Sequence, residues 1–125
     1  QKRLFEAGLF GRKSGRGYYQ YDAGITMPEP DKNELLCRSV FERVLTMLIN
    51  EAVDALYLKV ADKSDIETAM LKGVNYPKGL LKWCDEIGAE VVLGKMQTLY
   101  TDYCEDRYRP SLLLKKMAAE KRKFF

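Results

Sequence analysis

The chain of 125 residues contains no histidine. Imidazole is the usual base of Ser-His-Asp and Cys-His catalytic sites and a common metal ligand, so such sites are excluded within this sequence. Cysteine is also scarce: Cys37, Cys84 and Cys104 lie far apart and form no C-x-x-C pair typical of zinc or redox sites. We therefore expect no metal site, and we interpret the cysteines as small apolar residues of a reduced, cytoplasmic protein.

Long apolar runs are absent as well, because none approaches the roughly 18 residues that a membrane span requires. We also expect no signal peptide. With 46% hydrophobic and 31% charged residues, we expect one soluble globular domain without a membrane partner. The net charge is only +3. Basic residues nevertheless gather at both ends of the chain, at 1–16 and 111–125. One interpretation is that they bind an anionic ligand, and the other is that they belong to a solvated surface of mixed charge. Nucleic acid is not expected as a partner, since no nucleic-acid-binding motif is present.

The beginning of the chain predicts turns. A short helix end at Gly8 is followed by a segment rich in glycine and tyrosine, residues 8–24, which predicts tight turns and then a short extended stretch at 18–21. Its sequence GRKSGRG lacks the Walker A and GxGxxG spacings, so Lys13 and Ser14 belong either to a structural turn or to a loop that holds an anion. Two prolines near residue 30 then predict a stiff linker and a boundary.

The remainder of the chain predicts helices. Residues 31–61 carry apolar side chains at spacings of three and four in two adjacent stripes, which predicts one long helix buried on two sides. A capping box at Ser64 and Glu67 predicts a short helix that stops at Gly73. Further helices are expected over 80–84, from there to about Tyr108, and after Ser111. Nothing in 31–125 alternates with period two, so the predicted fold is all-α, a compact helical bundle.

A polar strip interrupts the long predicted helix, with Glu42, Thr46, Asn50 and Asp54 recurring every four residues. Such a strip is a solvated edge, or it faces a substrate cleft or a partner domain. Asn50 stands where the helix is most apolar. A buried asparagine must be hydrogen-bonded, so we expect Asn50 to tie this helix to a neighbouring loop.

Three motifs together resemble the C-terminal helical domain of the 3-hydroxyacyl-CoA dehydrogenase family: NEA at 50–52, DIETAMLKGVNYPKGLLKWCDEIG at 65–88 and PSLL at 110–113. The family's long run is met at nearly every fixed position, at Asp65, Ile66, Ala69, Met70, Gly73, Pro77, Gly79, Asp85 and Gly88. Leu81 stands where the family often has a second proline. The resemblance implies a helical bundle of the 6-phosphogluconate-dehydrogenase C-terminal-like type.

The opening segment GLFGRKSGRGYYQY is similar to the motif that normally closes the family's helical domain, yet here it comes first. The resemblance implies a tandem enzyme with an NAD-binding Rossmann domain, one helical domain and a second helical copy. Residues 1–30 would be the tail of the first copy and a linker, and residues 31–125 the second copy.

The resemblance also bears on chemistry. The family's nicotinamide site and its His and Glu acid-base pair lie in the Rossmann domain, and no position here matches them, so no catalytic or cofactor-binding residue is assigned. The family has Asn-Arg eight residues before its NEA, where this chain has Glu42 and Arg43. A carboxylate cannot donate the asparagine's hydrogen bond unless protonated. Candidates for a substrate cleft or an interface are Glu42, Arg43, Asn50, Lys13, Ser14, Tyr76 and Pro77.

The function implied is the substrate-side and dimerisation domain of an NAD-dependent 3-hydroxyacyl-CoA dehydrogenase, an enzyme that oxidises 3-hydroxyacyl-CoA to 3-oxoacyl-CoA in fatty acid or butyrate metabolism. This chain is expected to be inactive alone. Its implied partners are a second copy through the helical domain, the Rossmann domain, the first helical copy and the acyl-CoA substrate. The alternative is a stand-alone helical interaction module whose basic ends bind an acidic partner or a CoA phosphate, with strong salt dependence.

Overall fold

A computed structural model of the chain describes residues 1–21 and 28–125. These residues fall into two compact units, Gln1–Asn33 and Glu34–Phe125. The end of the predicted glycine- and tyrosine-rich segment, at 22–24, lies outside the described residues.

The first unit contains a short helix and a tight turn. Helix α1 (Lys2–Glu6) ends where Gly8 takes a φ of 70°, a conformation that favours glycine, and the N–H of Leu9 donates to the carbonyl of Leu4 at 2.9 Å. A 3₁₀ turn follows at Arg12–Ser14. The predicted helix end at Gly8 is therefore confirmed. The extended stretch predicted at 18–21 forms only an isolated bridge, between Arg16 and Gln20.

The second unit is a helical bundle, as predicted. Its elements are α2 (Glu34–Tyr57), α3 (Lys63–Thr68), a π-helix (Ala69–Gly73), α4 (Leu80–Ile87), α5 (Ala89–Tyr103), a 3₁₀ turn (Asp106–Tyr108) and α6 (Leu112–Glu120). Helix α2 packs against α4, α5 and α6. The most deeply buried side chains come from all four of these helices: Ile49, Val53, Leu81, Cys84, Val92, Met96 and Leu114.

Two helices end earlier than predicted. Helix α2 is shorter than the predicted 31–61 at both ends. Before its first residue, the side chain of Asp31 accepts a hydrogen bond from the N–H of Asn33 at 2.8 Å. After its last residue, Lys59 adopts a φ of 57°. Helix α5 stops at Tyr103 and not near Tyr108, since Cys104 takes a left-handed conformation with a φ of 52°. Left-handed residues cannot continue a right-handed helix.

The predicted capping box at Ser64 and Glu67 is wrong. Asp62 precedes α3, and no side chain caps its first turn. Glu67 is buried instead, and its carboxylate accepts the N–H of Leu81 in the first turn of α4 at 2.8 Å. The predicted stop at Gly73 is confirmed, although the last five residues, Ala69–Gly73, form a π-helix.

The three cysteines, interpreted from the sequence as small apolar residues, differ in their surroundings. Cys84 is fully buried in the bundle, whereas Cys37 and Cys104 are exposed. Burial, followed by the nearby charges of Asp85 and Glu90, raises the pKa of the Cys84 thiol to about 12. Cys84 therefore stays protonated and unreactive at neutral pH.

Burial of α2 on two sides is also only partly correct. Ile49 and Val53 in its C-terminal half are buried, but Val40 and Phe41 in its N-terminal half are exposed. The apolar stripe therefore continues beyond the part of the bundle that covers it.

Candidate functional site

A groove of about 610 Å³ runs between α2 and α5. Glu42 and Thr46, two members of the polar strip, line it from α2, and Lys95, Asp102 and Tyr103 line it from α5. Thr46 is almost completely buried, as is Asn50 behind it. The interpretation of the strip as a solvated edge is therefore wrong for its two central members, Thr46 and Asn50. The first two members of the strip, Glu42 and Thr46, face a groove within the bundle.

Glu42 is held as a carboxylate within this groove. It accepts a hydrogen bond from Lys95 Nζ at 2.9 Å and one from Arg38 Nε at 3.0 Å. The bond from Lys95, and after it the bond from Arg38, keeps the pKa of Glu42 below its ordinary value. An ionised carboxylate only accepts hydrogen bonds. At neutral pH Glu42 therefore cannot supply the donor that an asparagine would supply at this position.

Arg43 anchors α2 to the far end of the groove. Its guanidinium donates to the hydroxyl of Tyr103 at 3.2 Å and also to the hydroxyl of Tyr108. The guanidinium carbon lies 4.4 Å from the ring centre of Tyr103 and 5.1 Å from that of Tyr108. Cation–π contacts and hydrogen bonds act together here, and the bond to Tyr108 is the main cause that raises the pKa of Arg43. Arg43 is thus fixed as a permanent cation that joins α2 to the end of α5.

Asn50 lies beside the groove but is not among the residues that line it. Its Oδ1 accepts the N–H of Ser111 at 2.8 Å, and its Nδ2 donates to the carbonyl of Arg109 at 3.1 Å. The predicted tie between the long helix and a neighbouring loop is confirmed. These two bonds fix the loop that leads from the 3₁₀ turn into α6.

Tyr76 and Pro77 lie at a different place, in an apolar pocket of about 260 Å³. Phe41 of α2 and Trp83 of α4 both line it, and their rings pack against each other with ring centres 5.9 Å apart. Val44, Leu45 and Leu48 complete the lining, which contains no charged residue. The pocket is suited to an apolar side chain and offers little to a charged ligand.

Lys13 and Ser14 belong to the first unit. The hydroxyl of Ser14 accepts the N–H of Phe10 at 2.8 Å and donates to the carbonyl of Arg16 at 2.8 Å. Its hydrogen bonds are therefore used within the turn, as the structural interpretation predicts, while the side chain of Lys13 is exposed. Within the second unit, Glu42 and Arg43 line the groove, and Tyr76 and Pro77 line the apolar pocket.

Several residues of these sites were missed from the sequence. Lys95 gave no signal, because its partner Glu42 is 53 residues away along the chain. Trp83, the single tryptophan, stood in a short predicted helix without any sign of its partner Phe41. Phe41 itself belonged to a predicted apolar stripe, but the sequence did not show that its side chain is exposed.

Neither a metal site nor a membrane span is found in the part of the chain that the structure describes. No group of three or more Cys, Asp or Glu side chains there is arranged to hold a metal ion. No described helix is both long and apolar enough to cross a membrane.

Residues 40–123 match the family model described as "3-hydroxyacyl-CoA dehydrogenase, C-terminal domain". The chain belongs to this dehydrogenase family. The match begins in the N-terminal half of α2 and extends past α6, so it covers the groove, the apolar pocket and the loop bound by Asn50. The resemblance seen in the sequence is confirmed.

Relatives of this dehydrogenase domain are longer enzymes. The chain is 47% identical over 76 residues to 3-hydroxyadipyl-CoA dehydrogenase of Escherichia coli, an alignment covering 61% of this chain and 16% of that protein. It is 38% identical over 111 residues to a probable 3-hydroxybutyryl-CoA dehydrogenase of Deinococcus radiodurans, covering 82% of this chain and 40% of that protein. The chain therefore spans less than half the length of these relatives.

Solved structures agree with the fold of this dehydrogenase domain. The crystal structure of 3-hydroxybutyryl-CoA dehydrogenase from Escherichia coli superposes with a TM-score of 0.76 at 24% identity, over 95% of this chain and 43% of that one. The (S)-3-hydroxybutyryl-CoA dehydrogenase from Ralstonia eutropha superposes with a TM-score of 0.62 at 36% identity, over 64% of this chain and 28% of that one.

Proposed function

We propose that this chain forms the substrate-side and dimerisation part of an NAD-dependent 3-hydroxyacyl-CoA dehydrogenase, which oxidises 3-hydroxyacyl-CoA to 3-oxoacyl-CoA. Membership of the family supports this proposal. The described residues form no strand, whereas a dinucleotide site of the Rossmann type requires a parallel sheet and a glycine-rich turn. These residues do not fit NAD, and we assign the cofactor and the chemistry to the rest of the enzyme.

The observation that carries the dimerisation proposal is the exposed apolar surface at the start of α2. We call Leu36, Val40, Phe41 and Val44, together with the pocket walls Tyr76, Pro77 and Trp83, the docking face. Each of the four α2 side chains is about half exposed. Contiguous apolar patches of this kind are uncommon on isolated domains and mark interfaces.

A second copy of the chain is the occupant we propose for the docking face. The α2 part of the face is an apolar stripe on a helix, which can pair with the same stripe of a second copy about a two-fold axis. The pocket lined by Phe41 and Trp83 lies beside the stripe and can accept an apolar side chain from that copy. No charged group lines the pocket, so the association should persist in high salt.

The groove between α2 and α5 belongs, in this proposal, to the side of the domain that faces the acyl-CoA. Glu42 takes no chemical part, because its carboxylate is ionised and already engaged by Lys95 and Arg38. We assign residues 1–30 to the tail of a preceding helical copy and a linker, and residues 31–125 to a second copy. The position of the closing motif before the bundle supports this assignment. We also place the enzyme in the cytoplasm, for which the small number and wide spacing of the cysteines are the support.

The test is the mass of the protein in solution, measured by light scattering over a range of concentrations at low and high salt. We expect a dimer that persists at high salt. Leu36→Asp should abolish it, because the carboxylate would be desolvated in an apolar interface. Leu112→Asp is the matched control, since Leu112 is 55% exposed on α6 and Leu36 is 50% exposed on α2.

A protein that is monomeric at every concentration would overturn the dimerisation proposal. A dimer that dissociates in high salt and survives Leu36→Asp would instead favour the alternative, an interaction module that associates through its basic ends.

A further inference from the structure

Glu67 is a buried carboxylate that serves neither the groove nor any ion pair among the described residues. Its side chain is only 4% exposed. One oxygen, Oε1, accepts the N–H of Leu81, one of the first N–H groups of α4, which have no partner within the helix. The other, Oε2, is buried with no hydrogen-bond partner among the described residues. A tertiary contact from α3 therefore supplies the cap that α4 lacks locally.

Gly79 makes room for this carboxylate. A Cβ atom built on Gly79 would lie 1.9 Å from Glu67 Oε2 and 2.2 Å from its carboxyl carbon, closer than atoms can approach. Gly79 has a φ of −71° and a ψ of 148°, which any residue adopts without strain. Glycine is therefore required here by the closeness of Glu67 and not by its own backbone conformation.

The contact between Glu67 and Leu81 lies at the junction that shapes the docking face. The loop 74–79 carries Tyr76 and Pro77, and the N–H of Tyr76 donates to the carbonyl of Met70 in the π-helix at 3.1 Å. The N–H of Trp83 donates to the carbonyl of Gly79 at 3.0 Å. The loop and the first turn of α4 thus meet at the point where Glu67 binds, and between them they carry three walls of the apolar pocket.

We propose that Glu67 is a positioning residue for the docking face: its carboxylate, seated against Gly79, holds the 74–79 loop and the first turn of α4 so that Tyr76, Pro77 and Trp83 form one pocket. The dimerisation consequence rests on the proposed function. The geometry of the pocket does not, because Trp83 reports on it in a single chain.

The test is a double-mutant cycle between positions 67 and 79. Gly79→Ala places a methyl group where the carboxylate sits and should displace it from the N–H of Leu81. Glu67→Ala removes the carboxylate. Each change alone should weaken dimerisation by on the order of tenfold, because a displaced pocket loses apolar contact with the second copy. Each should also shift the emission and increase the acrylamide quenching of Trp83, the single tryptophan.

The decisive expectation is non-additivity. With Glu67 already replaced by alanine, Gly79→Ala meets no carboxylate and should add almost nothing, because the two residues act through one contact. Glu67→Gln keeps an oxygen that can accept from Leu81 and should restore both the dimer affinity and the Trp83 emission. Gly94→Ala is the matched glycine control, since a Cβ atom there meets nothing within 4 Å.

The proposal would be overturned by additive effects of the two changes in a folded protein, or by an unchanged Trp83 signal in both single variants. A Glu67→Gln variant as impaired as Glu67→Ala would also overturn it. If Glu67→Ala does not fold, Gly79→Ala and the double variant Glu67→Gln with Gly79→Ala still decide: the latter should behave like Gly79→Ala alone. A monomeric wild type would remove the dimerisation proposal while leaving the Trp83 measurements fully informative about Glu67.

Discussion

The two halves of α2 have similar apolar sequences and opposite surroundings. In the C-terminal half, Ile49 and Val53 are completely buried against the rest of the bundle. In the N-terminal half, Val40 and Phe41 are about half exposed. The periodicity that predicts an apolar face is present in both halves. The periodicity predicts that other residues cover the whole apolar face of α2. Only the structure shows that the described residues of this chain cover half of that face.

Removing the side chain that ties the buried half to its neighbours should have the largest effect. Asn50→Ala leaves the N–H of Ser111 and the carbonyl of Arg109 without partners inside the bundle. The N–H of Ser111 is buried and the bond to the carbonyl of Arg109 is partly buried. A buried unpaired group costs about 1–3 kcal/mol, so the free energy of unfolding should fall by about 3 kcal/mol. Urea unfolding followed by circular dichroism measures this change.

Asn50→Asp separates the two bonds. The carboxylate keeps the acceptor for Ser111 and loses the donor to Arg109, so this variant should lose stability as well. If Asn50→Ala unfolded within about 0.5 kcal/mol of the wild type, the loop would not depend on this tie.

A matched pair of valines tests the comparison of the two halves directly. Val53 is 0% exposed and Val40 is 54% exposed on the same helix. Val53→Ala should lower the free energy of unfolding by about 2 kcal/mol, because it leaves a cavity in the core. Val40→Ala should lower it by less than about 0.5 kcal/mol in the monomer. Equal losses at the two positions, measured by urea unfolding below the dimerisation concentration, would contradict the exposed state of the N-terminal half.

Much of the fold follows from local pattern in the sequence. The apolar spacing predicted the long helix, and the buried position of Asn50 predicted its hydrogen bonds to a loop. The ends of the helices were less accurate, because a side-chain turn at Asp31 and a left-handed Lys59 set the limits of α2. Glu67 matched a local capping pattern, yet the side chain bonds 14 residues away.

The candidate site was harder to predict, since its contacts join residues far apart in the chain. Arg43 meets Tyr108 at a separation of 65 residues, and Glu42 meets Lys95 at 53. Local periodicity contains no information about such pairs. The family motifs located Glu42, Tyr76 and Pro77. They could not show that Glu42 lines a groove whereas Tyr76 and Pro77 line a separate apolar pocket.

The smallest effect is expected at the border between the two halves, where Glu42 bridges to Lys95. Because the pKa of Glu42 is lowered in the folded state, its contribution to stability is present above the ordinary value of 4.5 and is lost as the pH falls through the lowered pKa. Glu42→Gln should therefore be slightly less stable than the wild type at pH 7. The difference should vanish in strongly acidic solution.

Urea midpoints of both proteins at pH 7 and in acid measure this effect. Glu51→Gln is the control, since Glu51 is exposed on the same helix and forms no ion pair with any described residue. High salt at pH 7 should also reduce the difference, because both partners of the Lys95–Glu42 pair are partly exposed. A difference that grew in acid would contradict the lowered pKa.

The two bonds of Asn50 also have a consequence for the order in which the chain folds. They join residues separated by 59 and 61 positions, whereas most contacts of a helical bundle are local. The loss of chain entropy on closing a loop of this size must be met before the bonds form. During synthesis α2 through α5 are made before Arg109 emerges. We therefore expect the amide of Asn50 to remain hydrated until late in folding, and substitutions there to accelerate unfolding far more than they slow refolding.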